Sequence, residues 1–464
     1  MDETKLRKRN ELIKEISYKL SNKTISLYVG AGLSIPSNIP GWYSIVKECC
    51  SELKVRLSDY EDNYYKLLEY YAIVEGREKI VNKFKKYIEN ASNDNDILRE
   101  LAKLNFNKIW TTNFDNLIYN YLTSNMITSN IINNDDKVSE ILSYEGISII
   151  KLNGDFDSTT QIITENDFLN YEANFKNIYL NFQSELYTHS FLIIGSSLTD
   201  GLYLPTLHKL YNEKEIPHKS YCFMQCPINN SQKIKRHNLY VKYLKKNYNI
   251  ETIEYENFEE IPYIINKIHD ISLNNSCFIS GSLPQENPEK QRDLENNARI
   301  LCKFISEGLM KEKIKIHTCF GMLIGNYISF PITSYCVKHG ESIFKYLQSY
   351  PLDNALSSND TKIFREKIIQ KGKFFIVMGG SPSKESGVYK EFIIAKELGK
   401  IIIPIPFLGG CGKLIYDEIN SEAKKETQYP YLIGYMEALA SSYPYIVSDA
   451  IISIIRSVSD NQYS

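Results

Sequence analysis

The chain has 464 residues, 54 Lys+Arg against 56 Asp+Glu, a formal net charge of −2, and is 43% apolar and 12% aromatic. Such a length accommodates two or three domains with real cores, and so balanced a charge excludes the strongly basic character typical of a nucleic-acid binder. No run of about 18 apolar residues occurs, which excludes a membrane-spanning helix, and Met1–Asn10 has no apolar stretch after its charges, so a secretory leader is not expected.

Residues 3–20 carry Leu6, Leu12, Ile13, Ile16 and Leu20 at helical spacing, and Ile25–Val29 then reads as a buried strand. Helix-rich sequence from Tyr60 to Leu104 follows, and further strands are predicted near Ile109–Trp110, Ile147–Leu152, Phe191–Ile194 and Tyr221–Met224. Thr164-Glu-Asn-Asp167 reads as a helix cap. Leu239–Ile271 is helical at both ends, with a short strand near Ile250–Tyr255. The polar stretch Leu273–Ser276 interrupts this pattern, and a second alternation opens at Cys277–Ile279. It continues with a long helix capped by Asn287 and Pro288, then strands at Ile314–Thr318, Phe374–Met378 and Ile401–Ile405. Alternating strands and helices predict an α/β fold with two doubly wound parallel sheets, divided near 272–276 into domains 1–274 and 275–464.

The nine cysteines are an odd number in a chain too large to need a disulfide framework. Only Cys222 and Cys226 approach metal-ligand spacing, with no second pair to answer them, so no metal is expected and the thiols are read as reduced, cytosolic and buried. The most basic stretch contains Lys233, Lys235, Arg236, Lys242, Lys245 and Lys246, with His237, Tyr240 and Tyr243 interleaved; it is read as a solvated helix face, without nucleic acid. His317 is expected in the core or at a sheet edge.

In doubly wound sheets ligands gather outside the carboxyl ends of the strands, so the residues after each strand matter most. Gly30-Ala-Gly-Leu-Ser34 follows the first, Thr111-Thr-Asn-Phe-Asp115 the second, Asn153-Gly-Asp155 the third, and Gly195-Ser-Ser197 with Asp200 the fourth. Two glycines let a backbone approach a pyrophosphate, and a helix N-terminus behind them would supply N–H donors. Each segment alone could be a capping turn; four in succession point to a ligand.

In their order these segments resemble the NAD-binding elements of the sirtuin superfamily, whose members break the nicotinamide–ribose bond. The resemblance implies that Gly30, Ala31, Gly32 and Ser34 hold the phosphates. Thr112, Asn113 and Asp115 would line the nicotinamide-ribose side, Gly195 and Ser196 the adenosine side, and Trp42 would lie over NAD as a loop aromatic or simply pack a helix start. Asn113 and Asn153 occupy the catalytic positions, with Asn153 where the family has a histidine base. An amide is not a base near neutral pH, and loss of a positioned base costs about 10²–10⁴-fold, so impaired catalysis is expected unless Asp155 or Asp157 substitutes. The four-cysteine zinc module of the protein deacylases is missing, which points to the branch that simply hydrolyses NAD.

The second half offers Phe278-Ile-Ser-Gly-Ser282, Cys319-Phe-Gly321, Met378-Gly-Gly-Ser381 and Phe407-Leu-Gly-Gly-Cys-Gly412 after its strands. This arrangement resembles the SLOG family of nucleotide-signal sensors, giving signal-binding candidates Gly281, Ser282, Gly321, Arg365, Gly379, Gly380 and Glu391. A sirtuin-like domain followed by a SLOG domain is similar to the effectors of the Thoeris antiphage system. That resemblance implies a cytoplasmic homo-oligomer, a tetramer or higher assembly, that hydrolyses NAD. A cyclic ADP-ribose isomer made by a TIR-domain partner would activate it. The alternative expectation is a catalytically silent switch acting through signal-driven assembly.

Overall fold

The computed structural model describes residues 3–60, 63–104, 106–125, 127–157, 161–199, 201–211, 215–284, 286–319, 323–351, 358–423 and 428–461, in two compact units, Met1–Ser272 and Leu273–Ser464. Seven strands cross the first: β1 Ile25–Val29, β2 Lys108–Thr111, β3 Ser129–Ile132, β4 Ile147–Lys151, β5 Ser190–Ile194, β6 Ser220–Gln225 and β7 Ile250–Tyr255. All pair in parallel, in the order β3-β4-β2-β1-β5-β6-β7. The order reverses between β1 and β5, a topological switch point.

Successive strand residues face opposite sides of a sheet, and β1 uses both. Ile25, Leu27 and Val29 enter a core shared with Leu12, Ile16 and Ile264, while Tyr28 enters another with Trp110 and Phe182. Burial on both faces explains why β1 reads as an unbroken apolar run. On the first face the helices Glu3–Ser21 and Glu260–Ser272 are tied by Ser17 Oγ donating to Ile268 O at 3.0 Å. The helices Trp42–Leu53, Tyr64–Glu75 and Arg77–Glu89 build a satellite core from Cys49, Leu67, Tyr71, Ile80 and Phe84, joined by Phe114 and Ile163.

The second unit carries β8 Ser276–Ser282, β9 Lys315–Cys319, β10 Leu347–Tyr350, β11 Phe374–Gly379 and β12 Ile401–Ile405, parallel in the order β10-β9-β8-β11-β12. Its switch point lies between β8 and β11. Asn287 caps the helix Pro288–Lys311 by accepting from Lys290 N, with Pro288 at its first position. Thr164 and Asp167 form a reciprocal capping box. Strands β3 and β10 are edge strands that the sequence pattern did not predict. All nine thiols are free, seven of them buried. Among the described residues no helix is long and apolar enough to cross a membrane.

His317, buried on β9, places Nδ1 3.1 Å from Tyr350 Oη. Burial, reinforced by Lys315 and Lys371, holds its pKa down at about 3. The unfolded chain therefore takes up a proton below about pH 6.5 that the folded unit refuses, and stability falls as pH drops through that window toward 3. Each pH unit well inside it is expected to cost about 1.4 kcal/mol, and His317→Gln should flatten that slope in acid-denaturation curves. An unchanged slope would rule this residue out.

Candidate functional site

The loops of the first unit meet at its switch point. Gly30 N donates to Ile194 O at 3.0 Å and Gly32 N to Gly195 O at 2.8 Å. A Cβ on Gly30 would lie 2.6 Å from Gly195 O, and one on Gly195, whose φ is +70°, would lie 2.4 Å from Leu33 N. Close approach of the β1 and β5 loops thus requires these glycines whether or not a phosphate binds. The backbone next forms a short 3₁₀ turn, Ala31–Ser37 with Pro36 inside it, where the sequence predicted a helix N-terminus; the α-helix begins only at Trp42.

Over this floor Asn113 Nδ2 donates to Gly30 O at 3.2 Å and to Ser34 Oγ at 3.1 Å, and Ser34 Oγ donates to Asp115 Oδ2 at 2.7 Å. Thr111 Oγ1 accepts from Asn113 N at 3.0 Å. Asn153 Nδ2 donates to Thr112 O at 3.1 Å, bringing the β4 end against the β2 end. The structure therefore gathers Ser34, Thr112, Asn113, Asp115 and Asn153. The Oδ1 atoms of Asn113 and Asn153 are both buried and have no hydrogen-bond partner among the described residues. Buried acceptors are nearly always satisfied, so two orphans in one site await a donor.

Lys151, which sequence reasoning passed over, fastens this group. Its Nζ donates to Phe114 O at 2.8 Å and Asp115 O at 2.9 Å, and lies 3.6 Å from Asp155 Oδ2. Burial pulls its pKa down, opposed by Asp155 and Asp115. Both Asp155 carboxylate oxygens also accept from Asn133 Nδ2 at 3.0 Å. It is thus committed inside the protein, and Asp157 N binds back to it. Trp42 is the first residue of a helix and not a loop aromatic: it packs edge-on against Phe84 at 5.3 Å and tilted against Phe114 at 6.0 Å. It also lines, with Ala31, Ser34, Asn113 and Asp115, a cleft of about 30 Å³, too narrow for a nicotinamide ring as it stands. Ser196 Oγ accepts from Leu198 N at 2.9 Å; Asp200 lies outside the described residues.

At the second unit's switch point, Gly380 N donates to Ser282 O at 2.6 Å and Cys411 N to Gly380 O at 3.1 Å. A Cβ on Gly379 (φ +59°) would lie 2.3 Å from Ser282 O. Beside them Glu391 Oε2 accepts from Ser280 Oγ at 2.6 Å and Oε1 from Arg365 Nε at 3.2 Å. Burial drives the Glu391 carboxyl pKa up, against the pull of Ser280 and Arg365. The structure thus joins Arg365 and Glu391 in one ion pair and brings Gly379 and Gly380 against Ser282, the neighbour of Gly281; Gly321 lies outside the described residues.

Comparison with known proteins matches residues 107–253 to a SIR2-like domain and residues 260–462 to the Sir2- and TIR-associating SLOG family. The chain is 23% identical over 451 residues to the NAD(+) hydrolase ThsA of Enterococcus faecium, covering 88% of this chain and 90% of that one. To the NAD(+) hydrolase ThsA of Bacillus cereus (strain MSX-D12) it is 21% identical over 444 residues, covering 90% of each. In its SIR2-like and SLOG matches, and along nearly its whole length, the chain is similar to the ThsA proteins. It is also 26% identical over 261 residues to defense-associated sirtuin 2 of Bacillus subtilis, covering 54% of this chain and 26% of that protein.

Sequence reasoning stopped too early along the sheet of this ThsA-like chain. Beyond β5, the ends of β6 and β7 open into a cavity of about 880 Å³, walled by Gln225–Asn230, Glu256–Asn257 and one face of the helix Ser231–Tyr248. The polar pair Asn229-Asn230, between the end of β6 and the next helix, was the available signal. Cys226 also departs from expectation. Its thiol gathers with His237 and Glu254, all ligand atoms within 4.8 Å, and Cys222 is not of the group. Lys5 Nζ already stands 3.0 Å from Glu254 and 3.7 Å from Cys226, so an internal ammonium supplies the positive charge there.

Proposed function

We propose that the SIR2-like unit hydrolyses NAD to nicotinamide and ADP-ribose, and that the SLOG unit gates this on binding a cyclic ADP-ribose isomer from a TIR-domain partner. The gated state is a homo-oligomer serving antiphage defence. The observation that carries the hydrolase reading is the buried, unpartnered Oδ1 of Asn113 beside Ser34 and Asp115. Loss of nicotinamide develops positive charge at the ribose anomeric carbon, and a preorganised uncharged acceptor stabilises it without carrying a counter-charge into the site. The same oxygen can hold the attacking water or a ribose hydroxyl in line. Asn153 offers a second acceptor but takes no proton. The likeness to the NAD(+) hydrolases ThsA and to the Sir2- and TIR-associating SLOG family supports the reading.

The narrow cleft under Trp42 accords with a resting state that must open before turnover. Moving such a switch from about 1:99 to 99:1 takes about 5.5 kcal/mol of differential binding. Arg365, paired with Glu391, offers a planar donor fork for phosphate, and Glu391 an acceptor for ribose hydroxyls. Nicotinamide release by the purified protein is expected to depend on the isomer and to vanish in Asn113→Ala. Arg365→Ala and Glu391→Ala should each weaken isomer binding about tenfold or more, a loss of at least about 1.4 kcal/mol. Turnover surviving in Asn113→Ala, or unaltered isomer affinity in the other two, would overturn the respective site. The second reading, a silent binding switch, draws on the commitment of Asp155 to Asn133 and Lys151, which takes that carboxylate away from the role of the missing base.

A further inference from the structure

The basic stretch read from sequence as a solvated helix face has a second side. The helix Ser231–Tyr248 turns Lys233, Arg236 and Tyr240 toward the 880 Å³ cavity at the ends of β6 and β7. Spacings of three, four and seven residues place them in one row. Neighbouring lysines are neutralised: Lys245 pairs with Glu251 and Lys5 with Glu254. Lys233 and Arg236 pair with no carboxylate among the described residues, so the helix side of the cavity is cationic, while Glu256 lines the side of β7. Tyr240 Oη donates to Ser197 O at 2.8 Å, tying that wall to the β5 loop.

This cavity lies along the same carboxyl edge as the Asn113 group. From β2 to β6 is three strand spacings in the order β2-β1-β5-β6, about 14 Å. A dinucleotide reacting at Asn113 and crossing the switch point would bring its adenosine here. Resting on that reading of the site, we propose that the cavity accepts an adenosine whose ribose carries a 2′-phosphate, so that the protein binds NADP as well as NAD. Arg236 is the principal phosphate ligand and Lys233 its helper. A guanidinium suits a phosphate dianion through paired donors, and dinucleotide sites that take the 2′-phosphate place an arginine beside it. Glu256, on the β7 wall, makes the opposite demand, since a carboxylate favours a 2′-hydroxyl. Binding decides which wall meets the ribose.

The test is calorimetric titration of the full chain with adenosine 2′,5′-bisphosphate, adenosine 5′-monophosphate, NAD and NADP. It is repeated in Arg365→Ala so that the second unit does not contribute. The bisphosphate is expected to bind at least tenfold more tightly than the monophosphate and to compete with both dinucleotides. Arg236→Ala should remove that advantage, and Arg236→Lys should restore part of it; Arg236 is exposed, so neither change threatens the fold. Monophosphate binding that competes with NAD but gains nothing from the 2′-phosphate overturns this proposal and leaves the hydrolase reading standing. An advantage that survives Arg236→Ala with Lys233→Ala also overturns it. Failure of NAD and both fragments to bind overturns the two together.

Discussion

Asn153→His is expected to raise isomer-dependent nicotinamide release by about 10²–10⁴-fold, the range that a positioned general base contributes. The position is already built for the purpose. Asn153 is buried at the end of β4, its amide nitrogen held by Thr112 O, and its oxygen has no partner among the described residues. An imidazole entering there replaces a group that orients without titrating by one that also accepts a proton. The pH profile separates the two: the variant should lose activity as pH falls through about 6.5, the ordinary histidine range, and the asparagine form should not. If the variant is no faster than the chain as it stands while NAD still binds, the deficit lies elsewhere and the silent-switch reading gains.

Lys151→Met is expected to destabilise the first unit by about 3–5 kcal/mol, the usual consequence of removing one partner from a buried ion pair. The change leaves Asp155 buried beside Asn133 without its cation and frees the carbonyls of Phe114 and Asp115. Adding Asp155→Asn should recover part of the loss, because an amide leaves no uncompensated charge; the double-mutant cycle isolates the pair. Denaturant unfolding followed by tryptophan fluorescence suits the measurement, since Trp42 and Trp110 both lie in this unit. A loss below about 1 kcal/mol, the scale of an exposed pair, would show that Lys151 is not the fastener described above.

Buried apolar residues made β1, β7 and β12 legible, and they lie where the pattern put them, at Ile25–Val29, Ile250–Tyr255 and Ile401–Ile405, although β7 and β12 are themselves sheet edges. The other two edge strands were not. Ser129-Asn-Ile-Ile and Leu347-Gln-Ser-Tyr are half exposed, too short and too polar to stand out from loop sequence. At the proposed site, Asn113 and Asn153 stood out in the sequence by type and by their place after strands, and the structure brings both against the Thr111–Thr112 strand end. Lys151 was hidden because its role depends on where the Phe114–Asp115 carbonyls turn, which is a tertiary fact. Lys233 and Arg236 lie exposed on their helix as read, but composition does not show which of its faces overlooks a cavity.

The glycine contacts at the first switch point divide the site into two mechanical classes. Between Gly30, Gly32 and Gly195 the spacing is set by backbone atoms and directional hydrogen bonds, so neither loop can shift without carrying the other and the centre of the sheet with it. Above them, Trp42, Phe84, Phe114 and Phe156 meet only through ring contacts, which slide and re-pack without breaking a bond. The cleft thus joins a layer that can re-pack to one that cannot. Under the proposed function, a signal that admits a dinucleotide would act on the aromatic layer and leave the glycine layer as it is.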